Sequence, residues 1–406
     1  MPAPIVVVGA GQAGLQTAEA LRADGFAGDL ILVGNEARAP YHRPPLSKAF
    51  LLGEVSENQL AMRPPELLAR KGITFLPGLA AVAIDRSARR LELSDGRQLH
   101  YAGLCLATGS RPRPLAQPEG TDFANVLALR TLDDARAIAD ALRSVHSVAI
   151  VGGGFIGLEI AAVARRLGKD VLVLEAADRL MSRAVTPLVS DFFADLHRQH
   201  GVHLELNAPL AGIIGTGTSA VAVRSADGRE FACELVVAGI GIVPNCEIAQ
   251  AAGLECEQGI VVDACSRTSD AAIVAAGDCT ARRLPDGRLQ RLESVHNAIE
   301  QARSAAAALL GKDRPFLANP AFWSDQYDIK LQMVGVSPGY DAVVERGDRA
   351  AQKFSAFYYR AAKLVAVDSV NRPVEFAQAR KLLDAARTPA PEQLADPDFD
   401  LGTLLP

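Results

Sequence analysis

The stretch Ile5-Val6-Val7-Val8-Gly9-Ala10-Gly11-Gln12-Ala13-Gly14 decides the fold, because the chain repeats it as Val148-Ala149-Ile150-Val151-Gly152-Gly153-Gly154-Phe155-Ile156-Gly157. Each copy is a continuous apolar run of strand type followed by a turn with the spacing GxGxxG. Helical spacing comes next, with Leu15, Ala18 and Leu21 ending at Gly25, and Ile160, Ala164 and Leu167 ending at Gly168. A second strand follows in each, over 30–33 and 171–174, reaching Glu36 and Glu175. Each copy then carries an Asp-Gly hairpin signal, Ser94-Asp95-Gly96-Arg97 and Ala226-Asp227-Gly228-Arg229. Each closes on an apolar strand entering a glycine turn, Ala107-Thr108-Gly109 and Ala238-Gly239-Ile240-Gly241.

A lone GxGxxG is weak evidence, since ligand-free α/β sheets also use glycine turns. Here the turn follows a strand, opens a helix and precedes an acid at the next strand end, which is the context a dinucleotide requires. The first glycine makes the tight turn, the second lets backbone approach a pyrophosphate, and the third lets helix and strand pack. The phosphates lie over the helix N-terminus. Glu36 and Glu175 are placed to accept hydrogen bonds from adenosine ribose hydroxyls. At Glu175 a carboxylate repels a 2′-phosphate and so favours NADH over NADPH; Arg179 and Arg183 stand close enough in sequence to weaken that preference, with solvated charges as their other reading. Two nucleotide sites in one chain point to hydride transfer from nicotinamide to a bound flavin.

The 406-residue length gives two to three domains, and 49% hydrophobic with 22% charged residues is an ordinary globular balance. A net charge of −5 argues against a general affinity for nucleic acid or anionic membranes. The apolar stretch over 148–164 is broken by four glycines and Glu159, so it reads as strand, turn and helix rather than a membrane span. The six cysteines form no CxxC, no CxxxxC and no metal-ligand spacing, so no metal site is expected. With no basic segment or cleavage site ahead of Ile5, a signal peptide is not expected and the cytoplasm is the expected location. A third glycine-ended strand, over 273–276 into Gly277-Asp278, precedes a helical stretch over 294–310 and belongs to neither copy; it is expected to complete the first unit. Beyond Gly311 the alternating segments 329–334, 354–359 and 364–367 read as an antiparallel sheet, 377–386 as a helix, and the Pro- and Asp-containing end from Thr388 as a loose tail.

Further motifs carry a family likeness. The segments Tyr41-His42-Arg43-Pro44-Pro45-Leu46-Ser47-Lys48, Ala107-Thr108-Gly109, Gly239-Ile240-Gly241-Ile242-Val243-Pro244-Asn245, Ala276-Gly277-Asp278 and Phe322-Trp323-Ser324-Asp325-Gln326-Tyr327 resemble the NADH-dependent, FAD-containing ferredoxin reductases that serve cytochromes P450 and ring-hydroxylating dioxygenases. The resemblance runs over the whole chain. It implies a glutathione reductase-like α/β fold of two Rossmann-type domains and a C-terminal α+β domain: FAD-binding over 1–112 and 243–318, NADH-binding over 113–242, and a C-terminal interface domain over 319–406. It implies FAD at Gly9, Gly11, Gly14, Glu36, Arg43, Pro44, Lys48, Ala107, Thr108, Gly109, Arg130, Asp278 and Val295, and NADH at Gly152, Gly154, Gly157, Glu159, Glu175, Gly239 and Gly241.

In the same family reading, Lys48 approaches flavin N5, and Glu159 contacts both Lys48 and the nicotinamide amide. Both are assigned to positioning and electrostatics, because hydride transfer mainly needs the two rings stacked at reactive distance. The bland readings are a surface lysine, a solvated helix glutamate and, for Asp278, an ordinary turn aspartate. The helix after Glu293 would aim its positive N-terminus at the flavin. Trp323 is implied beside the flavin where a ferredoxin docks, as an electron relay or as an aromatic packed in an interface, and His296 is read as a packing or hydrogen-bonding residue rather than a catalytic base.

The cysteines discriminate among acceptors. Disulfide reductases of this architecture need a paired thiol, and related oxidases use a cysteine where this chain has Arg43 to Lys48. What remains suits a one-electron acceptor, a two-iron, two-sulfur ferredoxin whose cluster is on the partner. Such ferredoxins are acidic, so Arg282, Arg283, Arg291, Lys330 and Arg372 are candidate docking cations, with scattered solvated charges as the alternative. Two other functions fit the same residues: an NADH-sensing flavin-bearing interaction protein resembling apoptosis-inducing factor, and an NADH-dependent reductase of a small-molecule acceptor.

Overall fold

Every residue of the run Ile5–Val8 is buried, because the strand it forms is covered on both faces. In this computed structural model, which describes residues 3–118, 121–316, 319–396 and 398–405, it is the middle strand of a five-stranded sheet. The order is Ile273–Ala275, Gly103–Leu106, Ile5–Val8, Leu30–Gly34, Ile73–Pro77, and all pairings are parallel. Successive side chains point to opposite faces. Val7 therefore packs with Leu15, Leu21, Ala305 and Ala306 of the helices Gln12–Ala23 and Val295–Leu309, while Val6 and Val8 pack with Ile84, Leu91 and Ile260 on the other side. Burying each such side chain contributes roughly 1.5–3 kcal/mol.

The chain divides into two compact units. The first, Met1–His42, Asn58–Arg111 and Val243–Pro320, contains this sheet. It also holds the antiparallel strands Ala81–Asp85, Arg90–Leu93 and Gln98–His100. Their Asp95-Gly96 turn closes with Leu93 N–H donating to Arg97 O at 2.9 Å.

The second unit is Arg43–Glu57, Pro112–Ile242 and Ala321–Pro406. Its parallel sheet runs His203–Glu205, Asp170–Leu174, Ser147–Val151, Leu235–Ala238, Val126–Ala128, so Val148 takes the place that Ile5 has in the first. A five-stranded antiparallel sheet follows in the order Ala321–Gln326, Ile329–Gly335, Lys363–Val370, Lys353–Arg360, Ala342–Asp348. Its first and last strands were not legible as strands in the sequence. The helix begins earlier than expected, at Pro373–Asp384, because a proline at the first turn loses no hydrogen bond.

The loose tail is a correction. Helix Pro391–Ala395 and the short 3-10 turn Leu401–Leu404 bring Leu394 and Leu401 into the core with Phe357 and Val367. Arg346, 5% exposed, holds them there: it donates to Glu375 Oε2 at 2.9 Å, to Leu394 O at 3.2 Å and to Phe399 O at 2.7 Å. Pro391 opens a helix and Pro389 O accepts from Tyr359 OH at 2.8 Å, so neither marks disorder; Pro397 lies outside the described residues. A second buried link joins the antiparallel sheet to the helix Pro187–Gln199, where Tyr358 OH lies 2.8 Å from Thr186 Oγ1 and donates to Asp368 Oδ2 at 3.0 Å.

Candidate functional site

In the first unit the C-terminal ends of the parallel strands carry Gly9, Glu36, Ala107 to Gly109 and Asp278, the edge where open α/β sheets bind ligands. The three fingerprint glycines are not equivalent. A Cβ on Gly9, whose φ is +105°, would lie 2.1 Å from Ala107 O, and one on Gly14 would lie 1.7 Å from Gly9 O. The fold's own packing demands those two. Gly11 has ordinary extended angles, and nothing in the chain lies within 4 Å of a Cβ placed there. The fold's own packing does not require a glycine there, and its absent side chain leaves the helix N-terminus open. The second fingerprint repeats the distinction: Gly152 and Gly157 would clash with Gly239 O and Gly152 O at 2.5 and 2.3 Å, whereas Gly154 meets only Gly239 O, at 3.8 Å.

Polar side chains hold these loops rigid. Glu36 Oε2 accepts from Tyr41 OH at 2.6 Å. Thr108 Oγ1 donates to Asn245 O at 2.5 Å, and Asn245 Nδ2 returns a bond to Thr108 O at 2.9 Å, which ties the Ala107-Thr108-Gly109 turn. Ser110 Oγ donates to Asp278 Oδ2 at 3.2 Å. Gln301 Oε1 accepts from Gly277 N–H at 2.8 Å and Thr280 Oγ1 at 3.0 Å, fixing the turn that presents Asp278. Val295 opens a helix capped by Ser294, whose Oγ accepts from Asn297 N–H. Ser110 and Gln301 escaped the sequence reading, and Asn245 stood only within a motif with no role of its own, because their partners are distant in the chain. The His296 ring centroid lies 6.5 Å from that of Phe316.

In the second unit Glu175 closes over its own glycine loop, with Oε2 accepting from Gly153 N–H at 2.6 Å and Oε1 from Ala177 N–H at 2.8 Å. Arg179 is not a solvated charge: its guanidinium donates to Ser182 O and Val185 O, both at 2.7 Å. It is committed to its loop, while Arg183 is exposed beside Gly241. Arg113 N–H donates to Gly241 O at 2.9 Å, and Gly239 N–H to Val151 O at 2.7 Å, which keeps that turn against the first glycine loop.

The segment Arg43–Glu57 belongs to this second unit. Arg43 Nη1 donates to Arg130 O at 2.6 Å. The 3-10 turn Pro44–Ser47 then delivers Lys48, whose Nζ lies 2.7 Å from Glu159 Oε2. With Lys48 18% and Glu159 4% exposed, neither is a solvated surface charge. Burial of such a pair needs further hydrogen bonds, and Ser47 Oγ donates to the same Oε2 at 2.5 Å while Ser324 Oγ donates to Oε1 at 2.6 Å. Trp323, half-buried, projects from the opposite face of its strand to Ser324. Phe322, on the Ser324 face, packs against Phe155 with centroids 4.5 Å apart and the rings tilted by 38°.

Four of the five candidate docking cations already have partners within the chain. Arg282 lies over the Phe316 ring and donates to Phe316 O and Gln290 Oε1 at 2.7 Å. Arg283, Arg291 and Arg372 pair with Glu255, Glu293 and Glu375; Lys330 is exposed.

All six cysteines are free thiols. The fold sets Cys246 and Cys256 within hydrogen-bonding reach of each other, which their spacing did not reveal, but burial pushes both up, Cys256 to about 11. Burial also raises Cys105 to about 12, Cys233 to about 11, and Cys279. None of these five supplies a thiolate nucleophile at neutral pH. Among the described residues no three His, Cys, Asp or Glu side chains form a group able to hold a metal ion, and no helix is long and apolar enough to cross a membrane.

Comparison with known proteins agrees with this geometry. The family model described as pyridine nucleotide-disulphide oxidoreductase matches residues 3–302, and that described as reductase C-terminal matches 321–405. The chain is 44% identical over 398 residues to rhodocoxin reductase of Rhodococcus erythropolis, covering 98% of this chain and 93% of that one. It is 42% identical over 406 residues to the ferredoxin--NAD(+) reductase component of the anthranilate 1,2-dioxygenase system of Burkholderia cepacia, covering 99% of both. Among solved structures it superposes on the covalent putidaredoxin reductase-putidaredoxin complex with a TM-score of 0.95 at 42% identity, covering 99% of this chain and 98% of that one. Two glycine cradles on parallel sheets, an ion pair delivered beside the second, and this likeness along nearly the whole chain lead to one conclusion: the protein belongs to the pyridine nucleotide-disulphide oxidoreductase family, among its putidaredoxin reductase-like ferredoxin reductases.

Proposed function

We propose that the protein is an FAD-dependent NADH:ferredoxin oxidoreductase that supplies electrons, through a two-iron, two-sulfur ferredoxin, to a cytochrome P450 or ring-hydroxylating oxygenase. The observation that carries the reading is the pair of open cradles at Gly11 and Gly154, one on each parallel sheet, in a chain where five of the six thiols are held protonated. FAD is assigned to the segments 1–112 and 243–318, with Gly9, Gly11, Gly14, Glu36, Thr108, Gly109, Asp278 and Val295 as its contacts. NADH is assigned to 113–242, with Gly152, Gly154, Gly157, Glu175, Gly239 and Gly241. The C-terminal domain over 319–406 is the interface for the ferredoxin. When bound, FAD supplies acceptance of a hydride and release of single electrons.

The chain's own residues bind and orient. The helix N-termini after Gly11 and Gly154 offer backbone N–H groups to two pyrophosphates. Glu175 offers its carboxylate to the adenosine ribose of NADH, and Arg179 is committed to its own loop. Lys48 and Glu159 present a positive and a negative end to the nicotinamide step, and Ser47 and Ser324 keep the carboxylate from turning. Arg43 and Arg130 hold the Lys48 segment in register. Free thiols suit a reducing compartment, and the cytoplasm supplies the NADH.

The test is anaerobic NADH-driven reduction of a ferredoxin from the same source, with NADPH and omission of ferredoxin as controls. Fast cluster reduction with NADH alone is expected. Bleaching of the flavin with no cluster reduction would refute the ferredoxin assignment, and equal rates with NADPH would refute the role given to Glu175.

A further inference from the structure

The strand Ala321–Gln326 meets the nucleotide-binding half of its unit through one of its faces. Phe322, Ser324 and Gln326 alternate on that face. Phe322 packs on Phe155, Ser324 donates to Glu159 one helical turn further along the same helix, and Gln326 reaches His197 on the helix Pro187–Gln199. Ser324, Gln326, Glu159 and His197 are all buried.

The hydrogen bonds on this face have a fixed direction. Ser324 has one hydroxyl hydrogen, and Glu159 Oε1, an acceptor only, takes it at 2.6 Å. Ser324 Oγ must therefore accept from Gln326, whose Nε2 lies at 3.2 Å. That leaves Gln326 Oε1 to accept from His197 Nε2 at 2.8 Å. Burial lowers His197 to about 4, so at neutral pH its hydrogen sits on Nε2 and Nδ1 accepts from Tyr327 OH at 3.3 Å. Every donor in the series points toward Glu159. On the far oxygen, Ser47 and Lys48 complete the set.

We propose that Ser324, seconded by Gln326, is a positioning residue for Glu159, so that the C-terminal domain sets the carboxylate orientation on which nicotinamide binding depends. An amide cannot pass a proton without an unfavourable tautomer, so the series orients and does not relay. The inference rests on the role proposed for Glu159 above and adds to it the residue that holds Glu159 in place.

The experiment uses the FAD-loaded full chain in four forms: Ser324→Ala, Ser324→Thr, Glu159→Gln and, as a control, Ser355→Ala. Ser355 is buried in the same sheet, bonds only to Ser369 Oγ at 2.8 Å among the hydrogen bonds described here, and lies away from Glu159. NAD+ dissociation constants from calorimetry, KM for NADH, KM for ferredoxin and melting temperature are measured for each. Ser324→Ala is expected to raise the NAD+ dissociation constant and the KM for NADH roughly 5- to 30-fold, below the full loss of a hydrogen bond to a charged group because two donors remain. FAD content and the KM for ferredoxin should stay at wild-type values, and Ser324→Thr should restore binding through its hydroxyl. Ser355→Ala should lower the melting temperature without weakening NAD+. Wild-type NAD+ binding by Ser324→Ala, with Glu159→Gln weakened, overturns the positioning role alone. Equal weakening in Ser355→Ala overturns it as a generic loss of packing. Wild-type binding by Glu159→Gln overturns both the inference and the role of Glu159 on which it rests.

Discussion

Replacing Gly11 with alanine should empty the first cradle of FAD while leaving the chain folded. Gly11 has φ −80° and ψ −165°, angles open to any residue, and an added Cβ meets nothing of the chain within 4 Å. The cost to the fold is then within about 0.5 kcal/mol. Two residues earlier the same change behaves oppositely. Gly9→Ala combines φ +105° with a 2.1 Å approach to Ala107 O, and backbone strain plus overpacking together cost roughly 2–6 kcal/mol. For a ligand the ranking reverses. A methyl at Gly11 keeps a pyrophosphate oxygen from the backbone N–H groups, and losing one charge-assisted hydrogen bond costs about 1.5–3 kcal/mol, or roughly 10- to 150-fold in affinity. The assay pairs FAD content per chain and FAD titration by fluorescence with melting by circular dichroism, for wild type, Gly9→Ala and Gly11→Ala. Added FAD should raise the melting temperature of wild type much more than that of Gly11→Ala. Wild-type FAD affinity in Gly11→Ala, or unfolding as severe as in Gly9→Ala, would refute the argument. The same logic makes Gly154→Ala a variant that keeps its FAD and loses NADH.

Asp368 and His197 should tilt stability with pH in opposite directions. Burial raises the Asp368 carboxyl from the ordinary 3.8 to about 7; with the folded value above the unfolded one, its contribution is full below pH 4 and lost as pH rises through 7, a span of about 4 kcal/mol. Asp368→Asn should therefore raise the urea midpoint at pH 8 and leave it unchanged at pH 4; a gain of equal size at both would show that charge is not the cause. His197, lowered from 6.5 to about 4, contributes stability that is complete above pH 6.5 and lost as pH falls through 4, about 3 kcal/mol, so acid unfolding should move to lower pH in His197→Gln. Arg282→Ala should cost about 1–3 kcal/mol of stability and leave the KM for ferredoxin unchanged, since its bonds run to Phe316 and Gln290; a raised KM would return it to the docking surface.

The amino-acid sequence by itself determined the α/β fold class and its two strand-turn-helix units. Those signals are local: four apolar residues in a row, glycines at fixed offsets, an acid at the next strand end and an Asp-Gly turn each specify backbone geometry within a few residues. The pairing of Lys48 with Glu159 was legible only through family likeness, because nothing in the spacing of the two residues brings them together. Tertiary structure alone decided the rest. Ser324 reaches Glu159 because alternation along one strand matches one turn of a helix far away in the chain. Arg346 gathers carbonyls from a segment whose prolines look disordering in isolation, and Arg282, a surface charge by composition, is captured by Phe316. Serine, glutamine and arginine carry no periodic signal, and what each one bonds to is settled only when distant elements pack and every buried polar group must find a partner.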